Sequence, residues 1–387
     1  TCYYSKNDRQ SERKLTMITN LTIENYKSYY QKTTIPLSPL TLISGANSSG
    51  KSSILESILL FSQTDSHDPL NGKNVSVGSF KQIFNNTKKL NRASIILEIN
   101  SPEESHKYEI FNNINNKIDF VIDKDIKETI LYLSADRVGV LDIYEKNRND
   151  HFLDPKGNFL INLLFDIKDD LSLGRKYLAH FPKNQADKKY GIELPLYKEG
   201  LPVPQSDTYF REATTLMNVL NVWLKIMTGY TVTIKENSNQ KFLEIIYLKD
   251  QNEYYPQHVG TGVTFILHQL IAILGSQDDS IILIENPEIH LHPKVQSVLS
   301  YFFLWASTLG KQIIIESHSD HFYNSFRLFK SRRDDCKILF CWLDDIGTQI
   351  EEIIIGEYGE VKNNKKGLFD QFLNDIDQML VPINERV

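Results

Sequence analysis

The run Ser44-Gly45-Ala46-Asn47-Ser48-Ser49-Gly50-Lys51-Ser52-Ser53 restricts the possible folds more than any other part of this chain. It satisfies the spacing G-x-x-x-x-G-K-[ST], with Gly45, Gly50, Lys51 and Ser52 in the required places. Glycine reaches backbone dihedrals closed to other residues, so successive N–H groups along the loop can converge on a phosphate. Lys51 can reach the β and γ phosphates of a nucleotide, and the Ser52 hydroxyl can ligate Mg2+. The flanks agree with this. Leu40-Thr41-Leu42-Ile43 has the composition of a buried strand, and Ile54 to Leu60 that of a helix whose N-terminus faces the phosphates. The alternative reading is a chance Gly/Ser loop between a strand and a helix.

The chain has 387 residues, 41% apolar and 24% charged, which allows two domain-sized units or one elaborated domain. A net charge of −6 gives no general attraction to nucleic acid, so DNA contact requires a local basic face. The one local run, Arg327, Lys330, Arg332 and Arg333, is followed at once by Asp334 and Asp335 and reads as a solvated helix end. Cys2, Cys336 and Cys341 form neither a disulfide framework nor a paired C-x-x-C site, which points to the reducing cytoplasm. No apolar run reaches about 18 residues, so no membrane span is expected. Residues 1–16 are polar and lack an apolar signal core; they are expected to be a disordered leader, with Met17 as the start.

In chain order, Met17 to Tyr29 and Thr33 to Leu37 read as strands, expected to add an edge to the nucleotide-binding sheet. Ser94 to Ile99, Lys107 to Phe111 and Ile118 to Ile122, separated by polar turns, predict an antiparallel meander. Ile130 to Ser134 is a further strand, ending at Ala135-Asp136-Arg137. The stretch 142–227 changes pattern, with helix-like periodicity over Phe159 to Ile167 and Phe210 to Met227 around a polar loop, Pro182 to Gln205. It is expected to be a helical insertion and a surface for partners. Val232 to Ile234 and Leu243 to Leu248 return to strands.

Gly260-Thr261-Gly262 opens an apolar helix, Phe265 to Leu274, and is either a second anion-binding terminus or a plain connection. Ser280 to Ile284 is an aliphatic run ending in Glu285-Asn286-Pro287-Glu288. An apolar strand that delivers carboxylates at its C-terminal edge suits a Mg2+–water site beside a phosphate loop. His290 and His292 form H-x-H, which does not place both rings on one helical face, so zinc is not expected. After a helix from Val295 to Leu309, Gln312 to Ile315 is another buried strand, followed by Glu316-Ser317-His318-Ser319. His318 is there either a structural residue or a contact for a γ-phosphate, and the other pieces favour the phosphate. Lys337 to Leu343 and Gln349 to Ile355 are the last strands, and Gly367 to Leu380 a closing helix.

Together these segments resemble the ABC-type ATPase heads of the RecF, SMC and OLD class, and within it the compact bacterial branch that includes PtuA of the Septu anti-phage system. The resemblance runs from about Met17 to the end of the chain. Asn25-Tyr26-Lys27-Ser28 is similar to the opening N-[FY]-[KR]-S of that class, and Gly45 to Ser52 to its Walker A motif. Leu131 to Arg137 resembles the strand ending at the Q-loop position, and Gly260 to Val263 the signature loop. Glu285 to Pro293 resembles the Walker B and D-loop run, and His318 the switch histidine.

The resemblance implies an α/β fold: a P-loop head with a mixed core sheet, flanking helices, an antiparallel β lobe and a helical insertion. It divides the chain into a leader (1–16), an N-terminal lobe (17–141), the insertion (142–227) and a C-terminal lobe (228–387). It implies ATP and Mg2+ as ligands. Asn25, Lys27, Ser28, Gly45, Ala46, Asn47, Ser48, Ser49, Gly50, Lys51, Ser52, Ser53 and Arg137 would hold the nucleotide, and Ser52 and Glu285 the metal. In a homodimer, Gly260, Thr261 and Gly262 of one head would cap the ATP of the other. One departure matters: Glu285-Asn286 stands where such heads carry Asp-Glu, and an amide orients water without accepting its proton. Glu285 then serves Mg2+, Glu288 or Glu285 is left to assist as base, and turnover is expected to be slow. The implied role is a switch in anti-phage defence acting with a separate effector such as a nuclease, with higher oligomers and DNA contact open. The alternative is a RecF-like DNA-repair clamp. About 40 residues follow the last ATPase strand and domains rarely fit in so few, so no nuclease domain is expected in this chain.

Overall fold

The computed structural model describes residues 17–64, 68–84, 94–112, 118–122, 130–141, 143–146, 154–179, 214–237 and 241–380. The strands are β1 (Asn20–Glu24), β2 (Thr33–Pro36), β3 (Leu40–Gly45), β4 (Ser94–Asn100), β5 (Ser105–Asn112), β6 (Ile118–Ile122), β7 (Ile130–Leu133), β8 (Ile143–Glu145), β9 (Thr231–Glu236), β10 (Phe242–Lys249), β11 (Asn252–Tyr254), β12 (Ile281–Glu285), β13 (Gln312–Glu316), β14 (Cys336–Asp344) and β15 (Gly347–Glu352). The helices are α1 (Lys51–Phe61), α2 (Phe80–Ile83), α3 (Leu160–Ile167), α4 (Leu171–Ala179), α5 (Leu216–Thr228), α6 (Thr261–Gly275), α7 (Pro293–Ser307), α8 (Asp320–Lys330) and α9 (Gln371–Leu380).

The central sheet has the order β15-β14-β3-β13-β12-β7. Its inner strands pair in parallel, and β15 closes one edge antiparallel to β14. These strands are aliphatic on both faces because both faces are covered. Ile282, Ile284, Ile313 and Ile315 pack into one core with α3, α5, α6, α7 and α8. Ile281, Leu283 and Ile314 pack into the other, with α1 and the antiparallel lobe. The parallel strands end on one edge, where β3, β12, β13 and β7 deliver the phosphate loop, Glu285, Glu316 and Ser134.

The meander is present as β4, β5 and β6, but it does not stand alone. A five-stranded antiparallel sheet runs β2-β1-β4-β5-β6. β1 and β2 therefore belong to the lobe, which corrects the expectation that they extend the nucleotide-binding sheet. Leu21 lies opposite Ile99, and Ile23 opposite Leu97. Alternation reveals which face of a strand is buried and says nothing of which strand lies beside it. The strand expected over 17–29 also stops at Glu24, because Asn25 and Lys27 take φ of 58° and 48°.

A third sheet centres on β10, which pairs with β8, β9 and β11. The stretch 142–227 thus contributes a strand as well as helices. Trp223 of α5 packs edge-on against Phe302 of α7, with Trp305 beside it. Tyr177 of α4 donates to the Leu274 carbonyl at 2.6 Å, so these helices are tied into the core. The leader 1–16 with Cys2, the loop 182–205 and Phe210 lie outside the described residues. Among the described residues no helix is long and apolar enough to cross a membrane.

Candidate nucleotide-binding site

The phosphate loop joins β3 to α1, and its glycines are where the backbone demands them. Gly45 has φ of 146°, and a Cβ there would sit 2.0 Å from the Cys341 carbonyl oxygen of β14. Gly50 is the N-cap of α1 at φ 93°, and a Cβ there would meet the Thr348 hydroxyl at 2.5 Å. α1 begins at Lys51, three residues earlier than its apolar run, so its free N–H groups open on the loop. In front lies a cleft of about 470 Å³ lined by Lys27, Ser28, Asn47, Ser48, Gly50, Lys51, Ser52, Ser53, Asn286, Glu316 and His318. That volume suits a small-molecule ligand.

Lys51 is buried and donates to the Ala46 carbonyl at 2.7 Å. Its ammonium stands 3.9 Å from Glu316 Oε1. Burial pushes its pKa below the ordinary lysine value, and the Glu316 carboxylate opposes that shift. The turn after β1 is fastened to the same place. Lys27 pairs with Glu56 of α1, the Thr348 hydroxyl donates to Ser28 Oγ at 2.7 Å, and the Tyr29 hydroxyl donates to the Gly50 carbonyl at 3.1 Å. Asn25 does not reach the cleft. It is buried and its amide donates to the Ser94 carbonyl at 3.1 Å, which ties the end of β1 to β4. Ser49 is buried under the loop and Ala46 offers its carbonyl to Lys51; neither lines the cleft.

The acidic edge differs from the expectation. β12 and β13 place Glu285 and Glu316 side by side in register. Glu316 is the one that enters the cleft: the Ser52 hydroxyl donates to its Oε1 at 3.1 Å. Burial, and next the charge of Glu285, raise its pKa to about 7, with Lys51 acting the other way. Glu285 does not line the cleft. Its Oε2 accepts from the Ala135 N–H at 3.1 Å, and burial together with Glu285 pushes the Tyr132 phenol well up. No signal singled out Glu316 in the sequence, because an acid closing an aliphatic strand looks the same on β12 and β13.

Asn286 lines the cleft with φ of 42°, a conformation that asparagine tolerates better than bulkier residues. Its N–H donates to the Glu316 carbonyl at 2.8 Å. Arg137 braces this turn from beneath, donating to the carbonyls of Glu285 and Asn286, each at 2.8 Å. Its guanidinium lies 5.6 Å from the centre of the Phe265 ring, and burial lowers its pKa to about 10. Arg137 is thus a support for the turn and not a lining residue of the cleft. Glu288 accepts from the His318 N–H at 2.8 Å, and burial raises its pKa. The His318 side chain is exposed at the rim, with its pKa lowered by burial and then by Lys51.

Gly260, Thr261 and Gly262 lie away from this cleft. α6 starts at Thr261, with Gly260 as its N-cap, so the expected loop is already the first helical turn. A Cβ on Gly262 would come within 2.5 Å of the His290 carbonyl oxygen, whereas Gly260 has nothing within 4 Å.

Among the described residues no group of three or more His, Cys, Asp and Glu forms a metal cage. Mg2+ does not need one: it is commonly held by one or two protein oxygens plus phosphates and water. Ser52 and Glu316 present such oxygens together. Glu316 Oε2, Asn286 Oδ1 and Glu288 Oε2 are shielded from solvent without a hydrogen-bond partner among the described residues, so this edge has acceptors to spare. The residues therefore fit a divalent cation beside the phosphate loop.

The model of the AAA ATPase domain family matches residues 17–194 and 203–323. Two solved structures share the fold. An SMC head bound to the C-winged helix domain of ScpA is 16% identical, covers 87% of this chain and 97% of its own, and gives a TM-score of 0.51. An Smc head domain with an extended coiled coil, bound to the C-terminal domain of ScpA derived from Pyrococcus furiosus, is 12% identical, covers 94% and 99%, and gives 0.54. No curated protein matches the sequence. At these identities the likeness concerns architecture, that of the ABC-type P-loop ATPase head.

Proposed function

Because the chain belongs to the AAA ATPase domain family, we propose that it is a slow, nucleotide-gated dimeric switch of the ABC type, binding ATP and Mg2+ and acting in bacterial anti-phage defence with a separate effector such as a nuclease. The observation that carries this reading is the convergence of Lys51, Ser52, Asn286 and His318 on one cleft at the carboxyl edge of the central sheet. The resemblance of the chain to the compact bacterial branch that includes PtuA supports the defence role.

Within this reading the loop N–H groups and the α1 terminus bind the phosphates, and Lys51 neutralises their charge. Mg2+, when bound, offsets further charge on the transferred phosphoryl group. Asn286 orients a water without taking its proton, which removes a general-base contribution of about 10² to 10⁴-fold. Glu288, which accepts from the His318 N–H, or Glu285 takes up part of that role. Gly260 and Thr261, away from the cleft of their own chain, are placed by the reading against the nucleotide of a partner head. The solved SMC heads each hold a ScpA domain, which supports a separate protein docking on this head too. We assign 17–141 and 228–387 to the two lobes of the head, with 142–227 between them.

Light scattering with a slowly hydrolysed ATP analogue tests the reading. The wild-type mass should double on addition of analogue and Mg2+, and Lys51→Ala should remain monomeric. A wild-type mass that does not respond to the nucleotide overturns the switch.

A further inference from the structure

The two acids that end β12 and β13 are neighbours in the sheet, yet they have different surroundings. Glu285 is already engaged, by the Ala135 N–H at 3.1 Å and by its place beside Tyr132, and it stands outside the cleft. Glu316 is 5% exposed and faces into the cleft. One of its oxygens accepts from Ser52 Oγ at 3.1 Å, and the other, Oε2, is shielded from solvent with no hydrogen-bond partner among the described residues. Lys51 does not account for that second oxygen. Its short contact is with the Ala46 carbonyl at 2.7 Å, while Glu316 is 3.9 Å away at the oxygen Ser52 already uses. A buried carboxylate oxygen without a donor, beside the hydroxyl that a phosphate loop offers to a divalent cation, lacks a hard positive partner.

We propose that Glu316, from the strand between the phosphate loop and Glu285, is the carboxylate that works with Ser52 to engage the divalent cation accompanying the nucleotide. The proposal rests on the reading of this cleft as an ATP site and moves the metal role from Glu285 to Glu316. Glu285 is then a positioning residue, which fixes the end of β7 through Ala135 and keeps negative charge behind the site. The strand order makes the choice physical: β13 is the direct neighbour of β3, whereas β12 lies one strand farther from the loop.

Calorimetric titration of ATP with Mg2+, and with chelator in place of Mg2+, separates the roles. Wild type should bind ATP more tightly with Mg2+ than without. In Glu316→Gln that gain should shrink by at least about 10-fold, as expected when a carboxylate serving a metal is lost. ATP without metal should bind this variant at least as well as wild type, since one negative charge has left the phosphate cradle. Glu285→Gln should keep the gain. A full Mg2+ gain in Glu316→Gln, or its loss in Glu285→Gln alone, overturns the proposal while leaving the ATP site standing. Absence of ATP binding by wild type in both buffers would instead sink the underlying reading. A second arm needs no variant: anomalous scattering from Mn2+ in crystals of the full chain with a non-hydrolysable ATP analogue. The peak should lie at about 2.1 Å, or one bridging water, from Glu316. A peak ligated by Glu285, with Glu316 farther away, refutes the assignment.

Discussion

The two glycines that flank Thr261 make opposite predictions when each is changed to alanine. A Cβ on Gly262 meets the His290 carbonyl oxygen at 2.5 Å and Leu291 Cδ2 at 3.2 Å. The nearer atom is backbone, so no side chain can swing aside; α6 or the turn carrying Asn286, Glu288 and His290 has to move by about half an ångström to restore van der Waals contact. Forced adjustment of this kind costs about 1–3 kcal/mol. Gly260 has nothing within 4 Å and φ of −56°, which alanine adopts freely, so its change should stay within about 0.5 kcal/mol. Unfolding entropy of about 2 cal/mol/K per residue makes the thermal shift small for 387 residues, roughly 1 °C per kcal/mol. Urea unfolding is therefore the better assay, with scanning calorimetry as a check. Gly262→Ala should lower the midpoint and Gly260→Ala should not. Because the displaced turn also holds Asn286, Gly262→Ala should in addition weaken ATP binding within its own chain. Equal midpoints for the two variants would refute the packing argument.

Two further outcomes follow from single side chains. Asn286→Asp, which keeps a residue that tolerates φ of 42°, places a proton acceptor at the turn and should raise steady-state phosphate release at least about 10-fold, within the usual range for a general base; an unchanged rate would show that the amide is not what slows turnover. Lys311 is buried, donates to Ser276 O, Ser276 Oγ and Gln277 O at 2.7–2.8 Å, and has its pKa lowered by burial to about 7. The unfolded chain then binds the extra proton between that pH and the ordinary lysine value, so the Lys311 contribution to stability grows as pH rises through this window. The unfolding free energy of wild type minus that of Lys311→Met should climb with pH from 7 to 9, at up to ~1.4 kcal/mol per unit. A pH-independent difference contradicts it.

The phosphate loop was legible because its chemistry is local: spacing alone places Gly45, Gly50, Lys51 and Ser52, and the loop needs no distant partner to be recognised. The central strands were legible for a related reason. Burial on both faces leaves runs such as Ile281–Ile284 and Ile313–Ile315 with no polar position, and few other elements tolerate that. What depends on strand order was not legible. Alternation in β1 could not say that it pairs with β4. Nothing in Gln312 to Glu316 could say that β13 lies beside the loop and β12 does not, so the resemblance put the metal role on Glu285 and Glu316 was noted only as the end of its strand. The surroundings of Arg137 were not legible either. A charged residue after an apolar strand fits an open site edge or a charged turn alike; here the guanidinium donates to two backbone carbonyls in a buried turn. The helices of 142–227 read as an appendage because periodicity shows an apolar face without naming its cover; Trp223 finds that cover on α7.

The account stands on nucleotide binding at the loop, and calorimetric titration of Mg·ATP into wild type and Lys51→Ala measures that directly. A charged hydrogen bond contributes about 1.5–3 kcal/mol, so loss of the lysine should weaken ATP by roughly 10 to 100-fold or more. Wild type should bind saturably near one nucleotide per chain, and Lys51→Ala at least about 10-fold more weakly. Equal affinity in both proteins, or no binding by wild type, would contradict it.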